Sequence, residues 1–154
     1  MMNLKQLLKN PLQAVPNNII IFLLIIALLG FVDASYLTVE HYQGRIPPCS
    51  ITAGCDLVLT SSYSVVLGIP VSLMGSIFYL IVLIGVFGYL ESKKTWLLKW
   101  TLLLTVFGLV ASMWFVYIQV FVIHSYCLYC LGSAFTSTVL FAVAMEIFRK
   151  YQEK

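Results

Sequence analysis

Tyr126-Cys127-Leu128-Tyr129-Cys130-Leu131-Gly132-Ser133 begins the apolar run Tyr126–Phe148, the last long hydrophobic stretch of the chain. The run decides the fold by its length. At about 1.5 Å of rise per residue, a helix of this length crosses a hydrocarbon core of about 30 Å. The two cysteines at its head decide what chemistry to look for. They stand three residues apart, so on a helix they share one face. A helix N-terminus carries a partial positive charge, which favours a thiolate over a thiol. The sequence therefore places a redox-capable dithiol at the edge of a membrane.

Three further runs are long enough to span: Asn17–Val39, Val65–Leu90 and Trp100–Ile123. Of the 154 residues 61% are hydrophobic and 10% charged, whereas a soluble domain carries about 25% charged residues. Mean hydropathy is +0.98. The expected fold is all-α, an integral membrane four-helix bundle over residues 17–148. It is flanked by a cytoplasmic segment, 1–16, and a cytoplasmic tail, 149–154. Leu4, Leu7 and Leu8 suit a short interfacial helix, which Pro11 and Pro16 end. The first run is too long for a cleavable signal peptide and lacks a small-x-small site behind it.

The loops follow from the breakers. Residues 40–64 form one external loop, in which Pro47-Pro48 and Gly54 oppose a continuous helix. Pro70 lacks a backbone donor and should start or kink the second span. Tight turns are expected at 91–95 and 124–126, the latter making spans three and four a hairpin. Gly75, Gly85, Gly88, Gly108, Ser112, Gly132, Ser133 and Ser137 suit close packing of the helices.

Basic residues orient the bundle. Lys5, Lys9, Lys93, Lys94, Lys99, Arg149, Lys150 and Lys154 fall on one side and only Arg45 on the other. The first side should be cytoplasmic, so both termini are expected inside and all four cysteines outside, where disulfides persist. A plasma (inner) membrane location is expected, because the chain has no C-terminal endoplasmic-reticulum retrieval signal. The basic residues form no patch with interleaved aromatics, so nucleic acid is not an expected partner.

Cys49 and Cys55 lie in the external loop, and with Cys127 and Cys130 they make two pairs near one membrane surface. Two structural disulfides would be the plain explanation, in a non-enzymatic small membrane protein. Zinc ligation fits less well, because one pair is C-x₅-C and the other starts a membrane helix. An electron relay fits better. Thiol–disulfide exchange needs a thiolate, an accessible sulfur and a nearby disulfide, and a loop pair can move between an external substrate and the membrane pair. No metal cluster, Cys-x-x-Cys-His haem site or glycine-rich nucleotide motif is present to accept electrons. A lipid-soluble quinone bound between helices is the remaining acceptor. Tyr126 and Tyr129 flank the thiols and are candidates for its pocket. Asp33 is an acid in or near the end of span one, a functional candidate by position or an interfacial side chain reaching water. Asp56 is a candidate cap for a helix beginning near Cys55.

Cys49-x₅-Cys55, Ser61-Ser62-Tyr63-Ser64, Gly68-Ile69-Pro70, Gly75-Ser76-Ile77-Phe78-Tyr79 and Cys127-x-x-Cys130 occur in that order. The set resembles the vitamin K epoxide reductase family in its bacterial or archaeal form, over roughly residues 17–148. Gly30 to Tyr42, with Asp33, Tyr36-Leu37-Thr38 and His41, resembles the family's first helix. The resemblance implies a four-helix bundle around a quinone of the menaquinone or ubiquinone type. It implies that Cys127 and Cys130 are the active-site pair, that Cys49 and Cys55 are the loop shuttle, and that Ser61 hydrogen-bonds the quinone. It also implies a thioredoxin-fold, DsbA-like protein as the dithiol substrate. The chain stops at Lys154, so that partner is expected to be a separate protein. DsbB-type oxidases also have four spans and four cysteines, but carry the Cys-x-x-Cys in the first external loop, the reverse of the order here. Animal members place an Asn on the second helix and a Tyr after the active-site pair near the bound ring. The positions here are Val71 and Ala134.

Overall fold

The computed structural model describes residues 14–48 and 54–151. Cys49 and the interfacial segment around Leu4, Leu7 and Leu8 lie outside them. Helix α1 runs Asn17–Tyr42 and follows Pro16, whose fixed φ suits a helix entrance. A short helix, α2 (Cys55–Leu59), leads through a 3₁₀ turn at Ser62–Ser64 to strands β1 (Val65–Val66) and β2 (Ile69–Pro70). Helices α3 (Val71–Ser92), α4 (Thr95–Tyr117, continued as a π-helix over Ile118–Ile123) and α5 (Leu128–Tyr151) complete the chain. The four helices α1, α3, α4 and α5 are long and apolar enough to cross a membrane.

The second span does not begin at Val65. Residues 65–70 form an antiparallel hairpin in which Val65 pairs with Pro70 and Val66 with Ile69. Its two-residue loop, Leu67 (φ 53°) and Gly68 (φ 82°), holds both residues in the left-handed region, as a type I′ turn requires. Hydropathy cannot separate this Val-rich run from the helix behind it. Pro70 does: it cannot donate to a helix, so α3 starts directly after it. Lys99, expected in the inner loop, lies within α4 and is buried. Asp56 sits in the first turn of α2 but makes no side-chain cap; Gly54 holds the cap position.

The helices close a ring, α1 against α3, α3 against α4, α4 against α5 and α5 against α1. Lipid tails are as apolar as leucine, so close approach rather than water exclusion holds such helices together. Gly30, Gly85, Gly88 and Gly108 make that approach. A Cβ on Gly30 would lie 2.3 Å from the Tyr79 ring, and one on Gly108 would lie 2.4 Å from the Phe78 ring. Gly132, expected to serve the same purpose, has nothing within 4 Å of its missing Cβ. Ile20, Leu23 and Ala27 of α1 meet Tyr79, Val82 and Val86 of α3, Leu98 and Leu102 of α4, and Leu140 and Ala144 of α5 in one core. Tyr89 is buried there, and its hydroxyl accepts the Val15 N–H at 3.0 Å, pinning the chain just before α1. The outward faces carry Ile25, Leu29, Phe107 and Val110, all exposed and suited to lipid. The α2–hairpin segment and the 124–127 turn sit at one end of the ring.

A buried thiol pair facing an apolar cavity

The loop helix α2 is drawn against the turn before α5. A Cβ on Gly54 would stand 2.9 Å from the Ser125 Cβ and 3.0 Å from the Tyr126 nitrogen, so only glycine allows this approach. The next residue, Cys55, is 1% exposed and shares a buried cluster with Val58 and Cys127, which is 0% exposed. Cys55 is in a disulfide, while Cys127 and Cys130 are free thiols. The loop sulfur is thus held inside the protein rather than offered to solvent.

Cys127 occupies the N-cap position of α5. Its carbonyl accepts the Leu131 N–H at 3.0 Å, and its sulfur accepts the Cys130 N–H at 3.4 Å. The Cys130 thiol beside it is the main force holding the Cys127 thiol below the ordinary cysteine range. Burial opposes this, and the Cys130 and Tyr129 N–H groups reinforce it. The Asp33 carboxylate pushes the other way. The expected thiolate at a helix start is therefore Cys127, aided more by its partner thiol than by the backbone.

The backbone of this corner is organised by Gln119, which the sequence reasoning missed. Gln119 is 2% exposed, and its Oε1 accepts the Cys127 N–H at 3.0 Å. Its carbonyl accepts the Ser125 N–H at 3.1 Å and that of His124. His124 turns into the left-handed region (φ 55°), ending the π-helix. A polar side chain within Tyr117-Ile118-Gln119-Val120-Phe121 was the signal that could have found it.

Beneath the thiols lies a cavity of about 700 Å³, within the range of small-molecule sites. Cys130 lines it; Cys127 does not. Ser61, Val71, Phe78, Tyr79, Phe107, Phe115, Gln119 and Ala134 contribute to its wall. The Ser61 hydroxyl donates to the Val58 carbonyl at 2.7 Å. Tyr79 donates to the Ser133 carbonyl at 2.7 Å and lies 2.8 Å from the Thr136 hydroxyl. Ser137, also on the wall, has a buried hydroxyl oxygen without a hydrogen-bond partner. A wall whose surface is mostly apolar, with polar side chains such as Ser61 and Gln119 set into it and one hydroxyl orphaned, fits a quinone ring. The structure brings Cys130 and Ser61 to this cavity. It does not bring Tyr126 or Tyr129 there. Tyr126 is 48% exposed, and Tyr129 packs on Tyr36 at 5.5 Å between ring centres. The Tyr129 hydroxyl donates to the Pro48 carbonyl at 3.4 Å.

Asp33 does not line the cavity; it lies on α1, one turn after Gly30 and one turn before Leu37. Its Oδ2 is buried and accepts no hydrogen bond. A sequence profile of the Vitamin K epoxide reductase family matches residues 21–145.

Proposed function

The chain belongs to the Vitamin K epoxide reductase family, whose members are membrane thiol oxidoreductases that use quinones, and we propose that it oxidises an external thioredoxin-fold, DsbA-like protein and delivers the electrons to a quinone. The observation that carries this reading is the joint placement of three sulfurs. Cys55 and Cys127 share one buried cluster, and Cys130 opens onto the cavity.

The sequence of exchanges balances at each step. A partner thiolate attacks Cys49 of a Cys49–Cys55 disulfide, which frees Cys55 as a thiolate. Cys55 attacks Cys127 of the oxidised pair, forming a Cys55–Cys127 bond and expelling Cys130. The partner's second thiol displaces Cys49 and leaves the partner oxidised. Cys49 then re-forms its bond with Cys55 and releases Cys127. A bound quinone, held by Ser61 and the cavity wall, supplies the acceptor for two electrons and two protons. Cys130 faces it, and Cys127 closes the disulfide on Cys130. The external face is the one bearing α2 and the hairpin, by the distribution of Lys and Arg.

Purified protein should oxidise a thioredoxin-fold dithiol only when a quinone is supplied. A partner lacking its resolving cysteine should be trapped on Cys49; capture on Cys130 instead would refute the shuttle. Absence of quinone-dependent turnover with every quinone and partner tried would favour a non-enzymatic membrane protein with structural disulfides.

A further inference from the structure

Near the thiols, the mechanism above leaves the carboxyl group of Asp33 unused. Asp33 lies one helical turn from Gly30, where α1 presses on the Tyr79 ring, and precedes Ala34 and Leu37 on the buried face. Its Oδ2 is sealed from solvent and accepts no hydrogen bond. The titratable groups within electrostatic reach of it are Tyr79 from α3, whose ring packs on Gly30 and whose hydroxyl donates to the Ser133 carbonyl three residues after Cys130, and Cys127 and Cys130 at the head of α5. On its own helix Tyr36 is one turn further along. A lone carboxylate in apolar surroundings is costly and takes up a proton when one is offered. A second negative charge nearby makes that outcome more favourable still.

We propose that Asp33 is the redox-linked proton carrier of this site, protonated while the Cys127–Cys130 pair is reduced and ionised once the two sulfurs are joined. The proposal rests on Cys127 and Cys130 being the redox pair. In the reduced site Cys127 is the thiolate, Cys130 carries one proton and Asp33 carries another. Two electrons leave the sulfurs as the Cys127–Cys130 bond forms. The Cys130 proton and the Asp33 proton leave with them to the acceptor. The Asp33 proton reaches Cys130 or the cavity by a side-chain rotation or one bridging water. The single negative charge passes from the Cys127 sulfur to the Asp33 carboxylate, so the buried site keeps one charge throughout. Two protons released by the incoming dithiol restore Cys130 and Asp33 on re-reduction.

The test needs no quinone. The full-length protein in detergent is poised between dithiol and disulfide with a small thiol–disulfide buffer, and infrared difference spectra are recorded. Oxidation should remove the band of one protonated carboxyl, and Asp33→Asn should lack that band. The reduction should take up two protons in the wild type and one in Asp33→Asn, which halves the pH slope of the midpoint potential. Asp33→Glu should restore the slope. A wild-type pair that cycles without loss of a carboxyl band overturns the proposal whether or not any variant folds. An Asp33→Asn slope equal to that of the wild type overturns it too. A Cys127–Cys130 pair that never forms a disulfide sinks the proposed function itself, which keeps the two failures apart.

Discussion

At the scale of single residues, the two cysteines at the head of α5 are not equivalent. Cys127 is sealed and thiolate-prone, and Cys130 is the one that meets the cavity. Cys130→Ala should therefore abolish quinone reduction while leaving the bundle folded. It should also remove the thiol that does most to favour ionisation of Cys127. The sign is fixed: without that donor the Cys127 thiolate is lost at a higher pH than in the wild type. Alkylation rates of Cys127 against pH in the two proteins check this. A Cys130→Ala profile unmoved, or shifted to lower pH, would contradict it. Ser61 offers a smaller effect. Its hydroxyl hydrogen is already given to the Val58 carbonyl, so donating to a quinone means exchanging one bond for another. Ser61→Ala should weaken quinone binding by about 0.5–1.5 kcal/mol, the worth of one hydrogen bond. A wholly inactive variant would mean that Ser61 does more than bind.

At the scale of elements, the π-helix ending α4 is the support under the thiols. Gln119 fills the place that a neighbouring backbone carbonyl would fill elsewhere, accepting the buried Cys127 N–H. Gln119→Leu keeps the volume but orphans that donor, at a cost of about 1–3 kcal/mol. Thermal unfolding in detergent should show the loss, and exchange between Cys55 and Cys127 should slow. A variant matching the wild type in both would make Gln119 a bystander. The four spanning helices were legible because twenty apolar residues in a row have few other uses. The same signal misled at Val65–Pro70. Val65, Val66 and Leu67 read as membrane residues, and it takes Pro70 together with the turn geometry at Leu67-Gly68 to separate a hairpin from a helix. The thiol pair was legible from its spacing. Gln119 was not, because its partner is a backbone N–H eight residues on, and the register bringing them together depends on the wider π turn. The removal of Tyr126 and Tyr129 from the cavity was likewise hidden: aromatic residues beside a reactive pair look alike whichever side of the turn they take.

At the scale of the whole molecule, the cavity wall is contributed by the loop segment and by every spanning helix, and the chemistry it permits depends on the donors they supply together. Opening an epoxide asks more than reducing a quinone, because the ring oxygen must gain a proton as the carbon–oxygen bond breaks. Val71, at the start of α3, and Ala134, nearly two turns into α5, both line the cavity. They stand where the resemblance to animal members calls for an Asn and a Tyr. Neither side chain can donate a hydrogen bond. Of the two tyrosines on the wall, Tyr79 gives its hydrogen to the Ser133 carbonyl, and Tyr63 is 47% exposed in the 3₁₀ turn of the loop segment. Ser61 gives its own to Val58. The hydroxyl oxygen without a partner, on Ser137, belongs to a neutral alcohol, a poor acid for this step. The chain should therefore reduce quinones with little or no epoxide reduction. Placing Asn at 71 and Tyr at 134 together (Val71→Asn, Ala134→Tyr) should raise the epoxide rate relative to the quinone rate if donors are what is missing. Both substrates measured on one preparation decide the matter. Comparable rates in the unmodified protein would show that the donors at these two positions are dispensable, and would move the source of the proton to another group on the wall.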